Sequence, residues 1–177
     1  DCSEPHEILR RYDHEWHEHK CGRIEHFGKR FAAIIREARP ETLVGLYACP
    51  WYPEEFNGAL TRIFAQDFAR LAPVFDVVTP LMYASKCGRP PQWSAEYLER
   101  VPQFMPAGTV VAPIVDVLDF PANLQALARL TEEAAATMVP GVQVFGGDAV
   151  FADSRSVAEF DAAVRTMRAA VQHGSCC

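Results

Sequence analysis

Several things are missing from this chain of 177 residues, and each absence narrows what it can do. No apolar run approaches the roughly 20 residues that a helix needs to cross a bilayer, so no membrane partner is expected. Basic residues are outnumbered, 17 Lys and Arg against 23 Asp and Glu, for a net charge of −6. A nucleic-acid footprint is normally basic, so no nucleic-acid partner is expected either. Cysteine is sparse: Cys2, Cys21, Cys49, Cys87, Cys176 and Cys177 form no compact disulfide framework, which predicts reduced thiols in an intracellular, cytoplasmic protein. The vicinal pair Cys176–Cys177 lies on a tail expected to fray. There is no G-x-S-x-G nucleophile elbow. No dinucleotide fingerprint follows any apolar segment, and Gly146-Gly147 is too short for a phosphate loop, so no cofactor is indicated. Initiator Met and signal-peptide pattern are both lacking. With its first residue at Asp1, the chain reads as a mature, processed or excised segment.

What is present is a repeat. Four short apolar segments, Leu43–Ala48, Val77–Tyr83, Val110–Val115 and Val142–Phe145, begin 34, 33 and 32 residues apart. That is the length of one βα unit. Near-continuous apolar runs are how strands buried on both faces of a parallel sheet read. An amphipathic stretch precedes the first strand and one follows each strand. Residues 5–39 predict one long helix or a broken pair. Leu9, Tyr12 and Trp16 form a first stripe, and Ile24, Phe27, Phe31, Ile34, Ile35 and Ala38 a second, with Gly22 between them as the expected kink. Leu60, Ile63, Phe64, Phe68 and Leu71 make the next stripe, closed by Pro73. Then come a helix carrying Trp93, Tyr97, Leu98 and Val101, and an alanine-rich one over 123–138 with Leu124, Leu127 and Thr131 inward. A last helix over 157–171 buries Val157, Phe160, Val164, Met167 and Val171, with Ser154 or Ser156 as cap and Glu159 at capping-box spacing. Pro80 and Pro113 fall inside predicted strands, where a residue without an N–H cannot donate to the ladder. The fold class predicted is α/β, the C-terminal half of a (β/α)8 barrel of four parallel strands. It forms a single domain over 1–177, with helix 5–39 and then four βα units over 43–171. A complete barrel runs to roughly 250 residues.

In such a fold chemistry sits just past the carboxyl ends of the strands. There the sequence reads Cys49-Pro50-Trp51-Tyr52, Tyr83-Ala84-Ser85-Lys86, Asp116-Val117-Leu118-Asp119 and Gly146-Gly147-Asp148. Aromatic faces stack on the C–H faces of sugar rings, while carboxylates bond hydroxyls or act as acid, base or nucleophile. Each aromatic can equally be a loop anchor, and Asp116 and Asp148 can equally be a helix cap or turn former. The glycine pair allows close backbone approach or simply turns the chain. His14, His17 and Cys21 share one helical face at i, i+3, i+7, a geometry able to hold Zn²⁺ with Cys2 or a carboxylate. Histidines interleaved this densely with charges mark a solvated helix face, however, and the spacing matches no standard zinc signature, so no metal is assigned. Cys49 beside Trp51 reads as a buried, inert thiol rather than a nucleophile.

The segment Val78-Thr79-Pro80-Leu81-Met82-Tyr83, followed by Cys87-Gly88-Arg89-Pro90-Pro91-Gln92-Trp93, resembles the sixth-strand segment of a group of glycoside-hydrolase-like TIM-barrel proteins. Leu46-Tyr47-Ala48-Cys49-Pro50-Trp51 is similar to the fifth strand of that group, and Gly141-Val142-Gln143-Val144-Phe145 to the eighth. Met82-Tyr83 is also similar to the strand-end tyrosine of chitinase-like glycosidases, which contacts the reacting sugar. The resemblance runs from about Ile24 onward. It implies a protein that hydrolyses O-glycosidic bonds in carbohydrate. Trp51, Tyr52, Tyr83 and Arg89 would shape the sugar site, with Asp116 and Asp148 in acid–base or hydroxyl-orienting roles. It also implies a general acid at the end of the fourth strand, before the point where this chain starts. Only Asp1 and Glu4 stand near that loop, so the half-barrel is expected to be incomplete as an enzyme. The alternative is a non-catalytic carbohydrate-binding or scaffold half-barrel that needs a partner segment, with self-association through its open sheet edges.

Overall fold

The computed structural model describes residues 4–132, 138–152 and 154–174. Four parallel strands, β1 (Gly45–Ala48), β2 (Val77–Met82), β3 (Ile114–Asp116) and β4 (Gln143–Phe145), form one sheet in that order. Two helices precede it, α1 (Pro5–Arg11) and α2 (Asp13–Ala38). Between β1 and β2 lie α3 (Ala59–Arg62) and α4 (Phe68–Leu71); α5 (Trp93–Arg100) joins β2 to β3 and α6 (Phe120–Glu132) joins β3 to β4. After β4 come α7 (Gly147–Val150) and α8 (Ser154–Gly174), which packs on α6 with the Phe120 and Phe160 rings 6.0 Å apart. The alternation of strands and helices is the α/β pattern expected of the period.

The two strand prolines explain how the ladder is built. β2 meets the third segment at Val78↔Val111 and again at Leu81↔Ile114, so one register, an offset of 33, holds throughout. In that register Pro80 stands opposite Pro113. Neither has an N–H to donate, so the predicted strand from Val110 is reduced to a bridge and then Ile114–Asp116. The Pro113 carbonyl still accepts from the Gln143 N–H at 2.8 Å.

A large apolar core covers the sheet, and a smaller one of Ala32, Val44 and Val74 lies under α2. Leu60, Val78, Met82, Tyr97, Leu98 and Val115 are essentially inaccessible, each aliphatic among them worth about 1.5–3 kcal/mol of burial. Trp93, Tyr97, Leu98 and Val101 are buried together, as the helical spacing predicts.

Three helical expectations need correction. The break in the first helix falls at Tyr12 (φ −128°, ψ 34°), and Gly22 lies inside an unbroken α2. A glycine in a helix interior costs only about 1 kcal/mol, whereas Asp13 and Glu15 favour a helix start where they stand; Asp13 is also held by Arg62 at 3.2 Å. Second, the stripe from Leu60 to Leu71 is two short helices. Ala65 has φ +55°, Asp67 caps α4 by accepting from the Ala69 N–H at 3.0 Å, and Ile63 and Phe64 are exposed. Third, α2 turns its small residues, Cys21, Gly28 and Ala32, to the protein. They allow an approach so close that a Cβ on Gly28 would lie 3.0 Å from Phe75 Cζ. The bulky stripe is left outside: Phe27 is 68% and Ile34 61% exposed, in line with Trp16, Ile24 and Phe31. In α8, Phe160 and Val164 are partly buried and Val157 is exposed. The helix begins at Ser154, which is thus its first residue rather than its cap. The expected roles of Ser156, Glu159, Met167, Val171, Leu124 and Thr131, and of Cys2, Cys176 and Cys177, lie outside the described residues. No described helix is long and apolar enough to cross a membrane.

Candidate functional site at the carboxyl edge of the sheet

Pairing places the ends of three strands level. Met82 pairs with Val115, so Tyr83 follows at the height of Asp116, and Asp116 pairs with Phe145. Side chains in one row of a parallel sheet share a face. Accordingly the Tyr83 and Phe145 rings stand 5.0 Å apart at 44° to one another. Beyond Tyr83 the chain winds into a single 3-10 turn, Ser85–Cys87, where the Cys87 N–H donates to the Tyr83 carbonyl at 2.9 Å. Three residues on in such a turn, Lys86 folds back over Tyr83. Its ammonium lies 5.0 Å from the Tyr83 ring centre, 4.7 Å from that of Phe145 and 2.7 Å from Asp116 Oδ2.

Asp116 is 3% exposed, among the few buried charged residues of the described chain. Its Oδ1 accepts from the Leu118 N–H at 3.0 Å. Burial opposes its charge, yet the Lys86 ammonium and the Leu118 N–H outweigh it and hold the carboxyl below its ordinary range. The bond to Asp116 in turn raises Lys86, which stays protonated and is not a nucleophile. Burial raises the Tyr83 phenol, so its hydroxyl stays neutral. Asp119, also buried, accepts from the Ser85 N–H at 3.3 Å and adds negative charge beside Lys86. Buried Asn123 ties this loop to α6 by donating to the carbonyls of Pro91 (2.6 Å) and Asp119 (2.8 Å) and accepting from the Ala95 N–H. Gly146, φ +82°, turns the chain out of β4 in a conformation that favours glycine.

Thus Tyr83 and Asp116, two of the predicted site residues, come together through Lys86. Trp51, Tyr52 and Arg89 are engaged in other contacts. Tyr52 stacks on Tyr97 (5.2 Å) with the Arg100 guanidinium 3.8 Å above its ring. Arg89 pairs with Glu55 and covers Trp93 at 5.2 Å, and Glu55 accepts from the Tyr52 N–H at 2.8 Å. These contacts bind the loops after β1 and β2 to each other. Trp51 packs edge-on against Phe64 (5.2 Å) and tilted on Phe56 (4.7 Å). Asp148 is exposed in the first turn of α7.

Sequence reasoning passed over Lys86, Asp119 and Phe145 as site residues. The signal for Lys86 was present in its spacing, three past a strand-end aromatic with Gly88 ready to end a turn. Phe145 and Asp119 needed the register. Cys49 is half-buried with its thiol pushed up to about 11 by burial, as suits an inert residue. Cys21, buried, donates to the Thr61 carbonyl, and among the described residues no three His, Cys, Asp or Glu side chains gather in a set able to hold a metal ion. Compared with family models, curated proteins and solved structures, the chain matches none.

Proposed function

We propose that this chain is the C-terminal half of a (β/α)8 barrel of the glycoside-hydrolase-like type, acting on carbohydrate by hydrolysis of O-glycosidic bonds. One observation supports the reading above the others: two aromatic faces and a buried, ionised carboxylate stand in one row at the carboxyl edge of a parallel sheet, the edge at which such folds bind ligands. Tyr83 and Phe145 offer stacking surfaces for a sugar ring. Asp116, kept ionised, accepts a hydroxyl or stabilises developing positive charge at the anomeric carbon. Its lowered affinity for protons makes it a poor general acid, and Asp148 is the second carboxyl of the proposal. Wild type, Tyr83→Ala and Asp116→Asn on a glycan array test it. Specific glycan signal in wild type, lost in both variants, is expected. Equal background signal in all three would sink the sugar site.

A second reading, the half-barrel that closes against a partner, draws on the exposed α2 stripe with Ile63 and Phe64 beside it and on the exposed Leu43 and Tyr47 next to the open edge of β1. Large apolar side chains exposed along one helix face, here interleaved with Arg23, His26 and Arg30, mark an interaction site. The occupant on this reading is a second copy of the chain. Sedimentation equilibrium of wild type and the Phe27→Glu, Phe31→Glu variant distinguishes it: a dimer in the first and a monomer in the second. A monomeric wild type would discard it.

A further inference from the structure

The arrangement around Lys86 has the form of an occupied cage. Its ammonium is held by two aromatic faces, 5.0 and 4.7 Å from the ring centres, and by one carboxylate oxygen at 2.7 Å. Aromatic faces combined with a buried anion are what binds organic ammonium groups, because the ring quadrupole and the carboxylate both replace the water that the cation gives up. The walls of this cage are fixed. Asp116 and Phe145 pair in register on β3 and β4, Tyr83 follows directly after β2, and Asp116 is anchored by the Leu118 N–H. Its tenant is not fixed. The Lys86 side chain is 56% exposed and reaches the cage from a single turn outside the sheet. A four-carbon stem of this kind can leave by rotation alone, and nothing described locks it from the outside.

We infer that the Tyr83–Asp116–Phe145 cage is a binding site for a ligand ammonium group, which Lys86 occupies as an internal stand-in and yields on binding. The inference rests on the carbohydrate reading for its natural ligand, a sugar bearing a protonated amine, while ring faces and a carboxylate attract organic cations generally. A neutral sugar has no charge with which to replace the Lys86 ammonium. An ammonium sugar competes with it directly, so removing Lys86 should raise affinity for cations by far more than affinity for neutral sugars.

The test is calorimetric titration at pH 6 of the full chain with glucosamine, N-acetylglucosamine and tetramethylammonium. Wild type, Lys86→Ala and Lys86→Asn are compared, together with Asp116→Asn in the Lys86→Ala background. The expected result is a gain of about ten-fold or more in affinity for glucosamine and tetramethylammonium in both Lys86 variants. Any gain for N-acetylglucosamine should be several-fold smaller, and the gain for the cations should vanish when Asp116 is neutralised. A gain for tetramethylammonium with no sugar binding by any variant supports the cage and removes the carbohydrate reading. Binding of N-acetylglucosamine with no gain for either cation overturns the cage and keeps that reading. A gain that survives Asp116→Asn, or no binding of any probe, also overturns it.

Discussion

Deleting the Lys86 side chain probes the site through stability. Removing one partner of a fully buried ion pair costs about 3–5 kcal/mol, whereas an exposed pair is worth about 0–1 kcal/mol. Here the carboxylate is buried and the ammonium more than half exposed. Water can reach the vacated side, and the Leu118 N–H still bonds Asp116. Lys86→Ala should therefore destabilise the fold at pH 7 by more than loss of an exposed pair and by less than loss of a fully buried one. The sign with pH follows from linkage. In wild type the folded Asp116 holds its proton more weakly than the unfolded chain does. Its contribution is thus complete above the unfolded value of about 3.9 and is lost as pH falls through the lower folded one. Without Lys86, only the Leu118 N–H is left to oppose burial, and the depression of the folded carboxyl shrinks. The variant is then penalised at neutral pH, and the penalty fades as the group is protonated. Urea melts followed by far-ultraviolet circular dichroism at pH 7 and pH 3.5, with Asp116→Asn and the double variant, complete the cycle. The coupling should be resolved at pH 7 and smaller at pH 3.5. A Lys86→Ala cost that is the same at both pH values, or additive single variants, would refute the reasoning.

Two further outcomes test the packing. Nothing lies within 4 Å of a Cβ built on Gly22, so Gly22→Ala should stabilise α2 by about 0.5–1 kcal/mol. Gly28→Val, pushed against Phe75 and Val74, should lose about 1–3 kcal/mol by overpacking. Thermal melts that rank the two variants the other way would contradict the close approach of α2. Iodoacetamide at pH 7.5 followed by peptide mass analysis should label exposed Cys87 well before Cys49, whose thiol is held protonated up to about 11; equal rates would contradict that burial.

The candidate site was half legible before any geometry. Tyr83 and Asp116 stand out because each ends an apolar run, and their types suit sugar chemistry. Lys86, Phe145 and Asp119 were ordinary loop or strand residues until pairing put them level. Trp51, Tyr52 and Arg89 looked equally apt by residue type, but their rings and charges are taken up by Phe56, Phe64, Tyr97, Arg100, Glu55 and Trp93. Which aromatic meets which partner depends on contacts between loops far apart in the chain.

By itself the sequence determined the alternation of strands and helices and the order of the units. An inner strand such as β2 must be largely apolar because both its faces are covered, whereas the edge strands β1 and β4 are half exposed; a helix laid on the sheet must carry a 3.6-residue stripe, and both conditions are local and repeat every 33 residues or so. It also marked where the ladder would falter, since Pro80 and Pro113 lack an N–H wherever they are placed. The tertiary structure decided three other things. It set their shared register, which brings the two prolines opposite each other. It chose the small-residue face of α2 over the bulky one, because only glycine and alanine let the helix approach Phe75 so closely. And it seated Lys86 against two adjoining rings and a buried carboxylate, an arrangement that arises only when strand ends and a turn meet at one height.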